Sequence, residues 1–286
     1  MSTKATRAGR AGWAGLALLL ATTALGAAPK TPSSLRLYIF DCGVIKGLGV
    51  DLFGFKAGEV PSRDFFVPCY LVVHPKGTMM WDVGVIPDSA FKGDGAPVTQ
   101  GPSTAAKPLL PQLAALGYTP ADITYLGMSH YHSDHTANAN AFAGSTWLVR
   151  LAERDMMFNP PQGAIVQTAS FESLKTAKTR ILNDDEYDVF GDGTVVIKSA
   201  PGHTPGHQVL FLKLKKFGPL LVAGDLYHYP EERSMNRFPG FEFSKEQSAK
   251  SREDVDAFLK AHKAQMWIEH DAATNATLKK APEYYE

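Results

Sequence analysis

Short apolar runs, broken by glycine, proline or charged residues, recur along the first half of the chain. Runs of this length, rich in β-branched and aromatic residues, are typical of strands. The predicted strands are Leu35–Asp41, Cys69–Val73, Thr78–Asp82, Ile123–Met128 and Thr146–Val149. Leu109–Leu116 is predicted to form a helix that stops at Gly117, and residues 83–106, rich in Gly, Pro and Ser, are predicted to form a long loop.

The second half of the chain repeats these strand-like runs. The predicted strands are Val195–Lys198, Gln208–Leu214, Pro219–Ala223 and Met266–Ile268. Residues 215–218 separate two of them and are predicted to form a hairpin turn.

A surface helix is predicted from about Gln247 to His262, because its apolar residues recur at the i, i+3, i+4, i+7 spacing. Ser244 is the expected N-cap, with Gln247 at the N3 position of a capping box. Strands interspersed with helices, arranged in two halves, predict a layered α/β domain with helices outside packed sheets.

The first 28 residues have the layout of a secretory signal peptide. Lys4, Arg7 and Arg10 give a positive start, Ala11 to Gly26 is apolar or small, and small residues precede Pro29. The apolar run is shorter than the roughly 20 residues that span a bilayer. We therefore expect residues 1–28 to be cleaved during export across the inner membrane. The mature domain, residues 29–286, is expected in the periplasm without stable membrane insertion.

Composition favours a folded domain that binds a small molecule. Of the 286 residues, 44% are hydrophobic and 20% are charged, which excludes a disordered chain. Lys and Arg together number 29, as do Asp and Glu, so no basic surface for nucleic acid is indicated. The expected partner is a small-molecule lactone or ester, for the reasons given below, and the oligomeric state is left open.

The chain has two cysteines, too few for a disulfide scaffold or a four-cysteine zinc site. Cys42 and Cys69 both lie in apolar, strand-like runs, where cysteine usually packs as a small buried hydrophobe. We favour that role over a disulfide, although export would permit one.

Three histidines and an aspartate form a dense cluster after a predicted strand. They follow the pattern HxHxDH, as His130, His132, Asp134 and His135. Neutral imidazoles and carboxylates are ligands for Zn²⁺. One catalytic ion needs only three protein ligands, so four closely spaced ones indicate two ions.

Four further side chains of these types occur at strand–loop junctions: His203, His207, Asp225 and His270. Glycine and proline surround His203 and let the backbone turn sharply beside a ligand. Each residue alone has an ordinary explanation, but together with HxHxDH they predict a metal site assembled from several strand ends.

The order HxHxDH, Gly-His, Gly-Asp and a late His resembles the metallo-β-lactamase superfamily over nearly the whole mature chain. The resemblance implies a four-layer αβ/βα sandwich with two divalent metal ions, zinc being favoured, at one sheet edge. It implies His130, His132 and His203 on one metal, Asp134, His135 and His270 on the other, and Asp225 as the bridge. Asp82 resembles the family's Asp-x-Gly aspartate, which supports a ligand; its alternative is a strand-ending turn.

Within the superfamily, the chain is most similar to the quorum-quenching N-acyl homoserine lactonases, notably over Ser199–Gln208. In these enzymes a tyrosine is expected three residues after the bridging aspartate. His228 occupies that position, between Tyr227 and Tyr229. The group that polarises the carbonyl is therefore one of these three, and packing beside the site is their alternative role.

The predicted activity is hydrolysis of an N-acyl homoserine lactone or a similar lactone or ester by a metal-bound hydroxide. Tyr227 or His228, with one metal, would stabilise the oxyanion, and Asp134 would carry a proton to the leaving alkoxide. A serine hydrolase is excluded because no GxSxG motif is present. The alternative is another hydrolase of the same fold, a β-lactamase or a thioester hydrolase. A non-catalytic metal-binding protein is disfavoured, because no ligand position is missing.

Other aromatic and histidine residues have weaker assignments. The segment Gly47–Phe66 contains four phenylalanines that either line a cleft for an acyl chain or fold into the core. His74 is expected at the surface, and His207 is expected to brace the metal loop without being a ligand.

Overall fold

The computed structural model describes residues 1–2, 32–164 and 166–286, and these fold around two β-sheets. The predicted signal peptide, apart from its first two residues, lies outside the described residues. Across the described part of the chain, no helix combines the length and apolar character needed to cross a membrane.

The larger sheet has nine strands within the described residues. Its strands are β1 Arg36–Ile45, β2 Phe65–His74, β3 Gly77–Trp81, β4 Val98–Gln100, β5 Ser103–Ala105, β6 Tyr125–Gly127, β7 Thr146–Val149, β8 Thr179–Ile181 and β14 Tyr284–Tyr285. Their order is β4-β5-β1-β2-β3-β6-β7-β8, and β14 pairs with β1. The first five strands in this order pair antiparallel, whereas β3, β6, β7 and β8 run parallel.

The smaller sheet has five strands in the order β13-β12-β11-β10-β9. They are β9 Glu186–Asp188, β10 Val195–Ser199, β11 Gln208–Leu214, β12 Gly218–Val222 and β13 Gln265–Trp267. All pairs are antiparallel except β12 with β13.

Helices flank the sheets. They are α1 Leu109–Ala115, α2 Ser133–Thr136, α3 Leu151–Phe158, α4 Pro230–Met235, α5 Lys245–His262 and α6 Ala272–Thr277. Single turns of 3₁₀-helix lie at Val50–Phe53, Asp88–Ala90, Pro120–Asp122, Ala139–Phe142, Thr168–Ser170, Glu172–Lys175 and Gly224–Leu226.

Alternation along the strands divides the core into layers. On β1, Leu37 and Ile39 face the smaller sheet and pack against residues such as Leu210, whereas Phe40 faces the other way, towards Leu113 of α1. A third apolar cluster lies between the smaller sheet and α5. Period-two alternation places successive side chains on opposite faces, so the layers run helix, sheet, sheet, helix. The predicted four-layer αβ/βα sandwich is confirmed.

Most predicted elements are present with small shifts of their ends. The helix α5 begins two residues before the predicted Gln247, and the predicted N-cap is confirmed, since Ser244 Oγ accepts a hydrogen bond from Gln247 N at 3.3 Å. The prediction of an unbroken loop over residues 83–106 is wrong. Two three-residue strands, β4 and β5, form a hairpin there, and β5 pairs with β1. Their short, mostly polar sequences, VTQ and STA, give no apolar alternation to detect.

Cys42 and Cys69 form a disulfide, so the prediction that they are separate buried thiols is wrong. Their Cα atoms are 5.8 Å apart. The antiparallel register places Phe40 opposite Cys69, and an irregularity between Asp41 and Val44 brings Cys42 within reach. Register of this kind depends on tertiary pairing and is not visible in the sequence.

The prediction that His74 lies at the surface is also wrong. The residue is buried, and its ring stacks on Phe190 with centroids 4.2 Å apart. Its Nε2 lies 2.9 Å from an Asp192 carboxylate oxygen. Both partners come from a segment more than 100 residues away.

Candidate metal centre

Four strand ends meet at one edge of the sandwich, and each leads into histidine or aspartate. β6 precedes the HxHxDH segment, β10 precedes His203, β12 precedes Asp225, and β13 precedes His270. β12 and β13 are parallel, and β10 shares their direction because β11 is antiparallel to both β10 and β12. Their carboxyl ends therefore lie at the same edge, the usual place for a site in such folds.

Two groups of ligand-type side chains result, in each of which the nitrogen and oxygen atoms lie within 4.8 Å of one another. They are His130, His132, His203 and Asp225, and Asp134, His135, His270 and Asp225. Asp225 joins the groups, since its Oδ2 lies 3.4 Å from His203 Nε2 and its Oδ1 lies 3.1 Å from His270 Nε2. The structure thus brings together all seven side chains that the sequence nominates as ligands.

Several of these atoms lack the hydrogen-bond partners that burial normally requires. His135 Nε2, His270 Nε2 and Asp225 Oδ1 are buried, and none of them makes a hydrogen bond within the described part of the chain. Burial lowers the pKa of His132 and of His203 to about 3, so both imidazoles are neutral at pH 7 and keep a free lone pair. Neutral imidazole nitrogen and carboxylate oxygen are the ligands that Zn²⁺ takes. The residues present therefore fit a pair of divalent cations.

Two further side chains contact ligand residues and orient them. His135 Nδ1 lies 3.0 Å from Asp82 Oδ2, which leaves Nε2 of that ring facing the cluster. His207 Nε2 accepts a hydrogen bond from the backbone N–H of Asp225 at 3.0 Å. Such contacts orient metal-binding side chains, and these two residues lie beside the ligands, where the sequence interpretation puts them.

Glu269 connects two ligand-bearing segments to the end of β3, although sequence reasoning misses it. Its Oε1 accepts hydrogen bonds from Trp81 Nε1 at 3.3 Å and from Gly224 N at 3.2 Å, and the residue itself precedes His270. Burial raises the pKa of this carboxyl well above its usual value, and the nearby Asp82 adds to the effect. The sequence does contain a signal for this role, because Glu269 is an acidic residue at the end of an apolar strand and precedes the nominated ligand His270.

Glu153, on α3, connects the HxHxDH segment to the His203 loop. Its Oε1 accepts from Tyr131 N at 2.7 Å, and its Oε2 accepts from Thr204 Oγ1 and Gly206 N, both at 2.8 Å. The side chain is buried, and burial raises its pKa to about 7 in spite of these donors. The sequence gives no signal for this role, because an acid in the first turn of a helix is ordinary.

His228 lies against the cluster. Its Nε2 is 3.1 Å from Asp225 Oδ2, and its Nδ1 is 3.2 Å from Glu232 Oε1. Burial opposes the charged form, but the carboxylates of Asp225 and Glu232 raise the pKa of His228 to about 10. Each ring nitrogen therefore faces a carboxylate oxygen, Nε2 towards the cluster and Nδ1 away from it.

Tyr227, nominated as an alternative catalytic group, lies away from the cluster. Its ring is buried against α5, with the Arg252 guanidinium 4.3 Å from the ring centroid. Tyr229 lies in an aromatic cluster with Phe53. The backbone is extended at residues 227 and 229, so successive side chains point to opposite sides. Of these three neighbours, His228 is the one that reaches the cavity.

A cavity of about 380 Å³ opens onto the cluster, within the range typical of small-molecule sites. Its polar wall includes Asp134, His228 and His270. The apolar wall is formed by Ile45, Leu48, Leu52, Phe53, Phe65 and Phe241. The phenylalanines of the segment Gly47–Phe66 thus divide: Phe53 and Phe65 line the cavity, and Phe55 packs against Tyr229.

Comparison with known proteins gives a consistent result. The family model described as the metallo-beta-lactamase superfamily matches residues 62–261. An N-acyl homoserine lactonase, AttM, from Rhizobium radiobacter is 31% identical over 264 residues, covering 88% of this chain and 99% of that relative.

Solved structures agree on the fold. A quorum-quenching N-acyl homoserine lactone lactonase superposes with a TM-score of 0.73 at 24% identity, covering 87% of this chain and 97% of that protein. An N-acyl homoserine lactone hydrolase with the product N-hexanoyl-L-homoserine at its catalytic metal centre gives a TM-score of 0.71 at 23% identity, covering 87% and 98% of the two chains.

Proposed function

The chain belongs to the metallo-beta-lactamase superfamily, and from that premise we propose that it opens the lactone ring of N-acyl homoserine lactones by metal-dependent hydrolysis. The observation that carries the proposal is the gathering of seven His and Asp side chains into two groups joined by Asp225, beside a partly apolar cavity. The similarity to AttM over 88% of the chain supports the choice of substrate.

Two divalent metal ions would be held by the two groups, with zinc favoured by the mixture of imidazole and carboxylate ligands. When bound, such ions supply Lewis acidity at a carbonyl and ionise water near neutral pH. Asp225 is the carboxylate placed to serve both ions, because each of its oxygens faces a different group. No nucleophilic side chain is needed for this chemistry.

Asp134 is the group best placed to move a proton. It lines the cavity, and its Oδ2 lies 3.4 Å from both His135 Nε2 and His270 Nε2. Ring opening adds one water, breaks the bond between the lactone carbonyl carbon and the ring oxygen, and leaves an alcohol and a carboxylic acid that releases its proton to solvent. Asp134 Oδ2 would accept the proton that the attacking water loses and deliver it to the departing alkoxide.

His228 would polarise the carbonyl, and Tyr227 would not. His228 presents Nε2 towards Asp225 and the cavity, whereas Tyr227 is held in the core by α5. A donor held in place before the reaction stabilises developing negative charge without reorganisation. Phe53 and Phe65 would contact the acyl chain and keep water from the reacting carbonyl.

The test is a substrate panel assayed with the metal-loaded protein and again after chelation. We expect hydrolysis of hexanoyl homoserine lactone, little turnover of nitrocefin or lactoylglutathione, and loss of activity with chelator that is restored by Zn²⁺. Lactone turnover that survives complete metal removal would refute the mechanism. Turnover of nitrocefin or lactoylglutathione without lactone opening would select a β-lactamase or a thioester hydrolase instead.

The protein is proposed to act in the periplasm, as a mature domain of residues 29–286. The signal-like pattern of residues 1–28 supports this location, as does the Cys42–Cys69 disulfide, because such bonds persist in oxidising compartments. Cell fractionation followed by intact-mass analysis tests the proposal. A full-length, reduced protein confined to the cytoplasm would contradict it.

A further inference from the structure

Behind the metal cluster lies a buried ion pair that the proposed chemistry does not use. Glu232 of α4 is fully buried, and its Oε2 lies 2.8 Å from Arg252 Nη2 of α5. Burying two charges is costly unless both are well hydrogen-bonded. The remaining contacts of the pair therefore indicate what it is for.

Glu232 makes two contacts to one residue, His228. Its Oε1 lies 3.2 Å from His228 Nδ1, and its Oε2 lies 3.3 Å from the His228 backbone nitrogen, which donates to it. The other ring nitrogen, Nε2, faces Asp225 Oδ2 at 3.1 Å. The carboxylate thus holds the ring from its far side and leaves Nε2 directed at the cavity.

Arg252 fixes the carboxylate in turn. Its Nε donates to Leu226 O at 3.0 Å and its Nη1 donates to Arg237 O at 2.6 Å, in addition to the contact with Glu232. The guanidinium also lies 4.1 Å from the Phe238 ring centroid. All three guanidinium nitrogens of Arg252 donate hydrogen bonds. Because Arg252 is fixed in this way, it holds the Glu232 carboxylate in the orientation that faces His228.

Aromatic packing leaves the imidazole itself little room. The Phe53 ring centroid lies 4.8 Å from that of His228, and the Phe65 ring stacks on it at 5.8 Å. Packing restricts the position of the ring, and the contact between Nδ1 and Glu232 Oε1 fixes its rotation.

We infer that Glu232, held by Arg252, is a positioning residue that holds the His228 ring at Nδ1 and keeps Nε2 directed at the substrate carbonyl. The inference rests on the proposed function insofar as it concerns the lactone. A carboxylate that orients a histidine typically contributes about 10- to 100-fold to activity. Glu232 contacts neither the cluster nor the cavity, so its effect would pass entirely through His228.

The test is a double-mutant cycle of Glu232→Gln and His228→Ala. We expect Glu232→Gln to lower kcat about 10- to 100-fold, with KM changed less than about twofold and two metals still bound. In the His228→Ala background, the same substitution should have no further effect on kcat. Glu232→Asp, which keeps the charge, should recover part of the loss.

Arg233→Ala is the matched control. Arg233 Nη2 lies 2.7 Å from Asp256 Oδ1, so this exposed pair also connects α4 to α5, but it does not touch His228. Wild-type kcat is expected. If Arg233→Ala is as damaging as Glu232→Gln, or if Glu232→Gln lowers kcat equally without His228, the effect is helix anchoring and the inference is overturned.

A measurement without substrate separates the inference from the proposed function. In ¹⁵N-histidine spectra of the metal-loaded protein, the His228 Nδ1 signal should show a hydrogen bond to a carboxylate in the wild type and should shift in Glu232→Gln. A His228 Nδ1 signal that is the same in both proteins would overturn the inference even if lactones are hydrolysed. If the shift is present but no lactone is opened, the proposed substrate fails and the positioning role stands.

Should Glu232→Gln fail to fold, Glu232→Asp carries the same tests. It must show an altered His228 Nδ1 signal, and it must lower kcat in the wild-type background but not in the His228→Ala background. Unchanged values in Glu232→Asp, when Glu232→Gln cannot be examined, would count against the inference.

Discussion

The pH dependence of stability should reveal Glu153, the carboxylate that joins the HxHxDH segment to the His203 loop. Burial raises its pKa from 4.5 to about 7. In the unfolded chain the group ionises near 4.5, so between these two values the folded state binds one more proton than the unfolded state. Stability from this group is therefore greatest at low pH and is lost as pH rises through about 7.

The magnitude follows from the two pKa values. Integrating the linkage relation from pH 5 to pH 8 gives a loss of about 2.5 kcal/mol in the free energy of unfolding. No reduction for solvent screening is needed, because the side chain is 3% exposed. Glu153→Gln removes the titration while keeping the length of the side chain and one acceptor oxygen for Tyr131 N or Gly206 N.

The assay is urea unfolding of metal-free wild type and of Glu153→Gln across this pH range. Their difference in unfolding free energy isolates Glu153, because the other titrating groups are common to both proteins. We expect the wild type to lose about 2.5 kcal/mol relative to the variant from pH 5 to pH 8. A difference that is constant with pH, or one that grows in favour of the wild type as pH rises, would refute the assignment.

Three further predictions concern the disulfide, a close-packed glycine and the metal ligands. Replacing Cys42 and Cys69 by Ser should cost about 3.5 kcal/mol of unfolding free energy, from loop closure across 27 residues; an unchanged urea midpoint would contradict this. Gly202→Ala should lower the free energy of unfolding by at least about 2 kcal/mol, because the added Cβ would lie 2.2 Å from Ser248 N. Thermal melting compares this variant with the control Gly144→Ala, whose Cβ would have no neighbour within 4 Å. His132→Ala and Asp225→Ala should each abolish turnover and lower metal content by elemental analysis; a near-native rate with full metal content would exclude either residue as a ligand.

The strands and the ligands were predictable because both leave local signals. β7 and β11 have the predicted bounds, since each is an uninterrupted run of mostly apolar residues ending at a turn or polar segment. The ligands were found by residue type and by their place after such runs. Short exposed strands such as β4 carry no comparable pattern.

The supporting carboxylates could not be found in this way. Glu153 and Glu232 lie in first turns of helices, where acids are common at the surface, and only packing between distant segments buries them. The choice between His228 and Tyr227 likewise depends on which way an extended backbone faces when it leaves β12. The sequence shows which residues could take these roles, but it does not show the backbone and side-chain conformations that decide which of them does.

The segment that carries the cavity's phenylalanines is closed at its base. Its two flanking strands pair up to Ile45 and Phe65, and the bond between Cys42 and Cys69 crosses them just outside that point. The excursion from residue 46 to residue 64 is thus fixed at its base, and at its tip Phe53 packs against His228 and Leu52 O accepts a hydrogen bond from Gly240 N. Its Leu48 and Leu52 side chains line the cavity without belonging to the metal cluster, which makes them the natural positions at which to change the substrate preference.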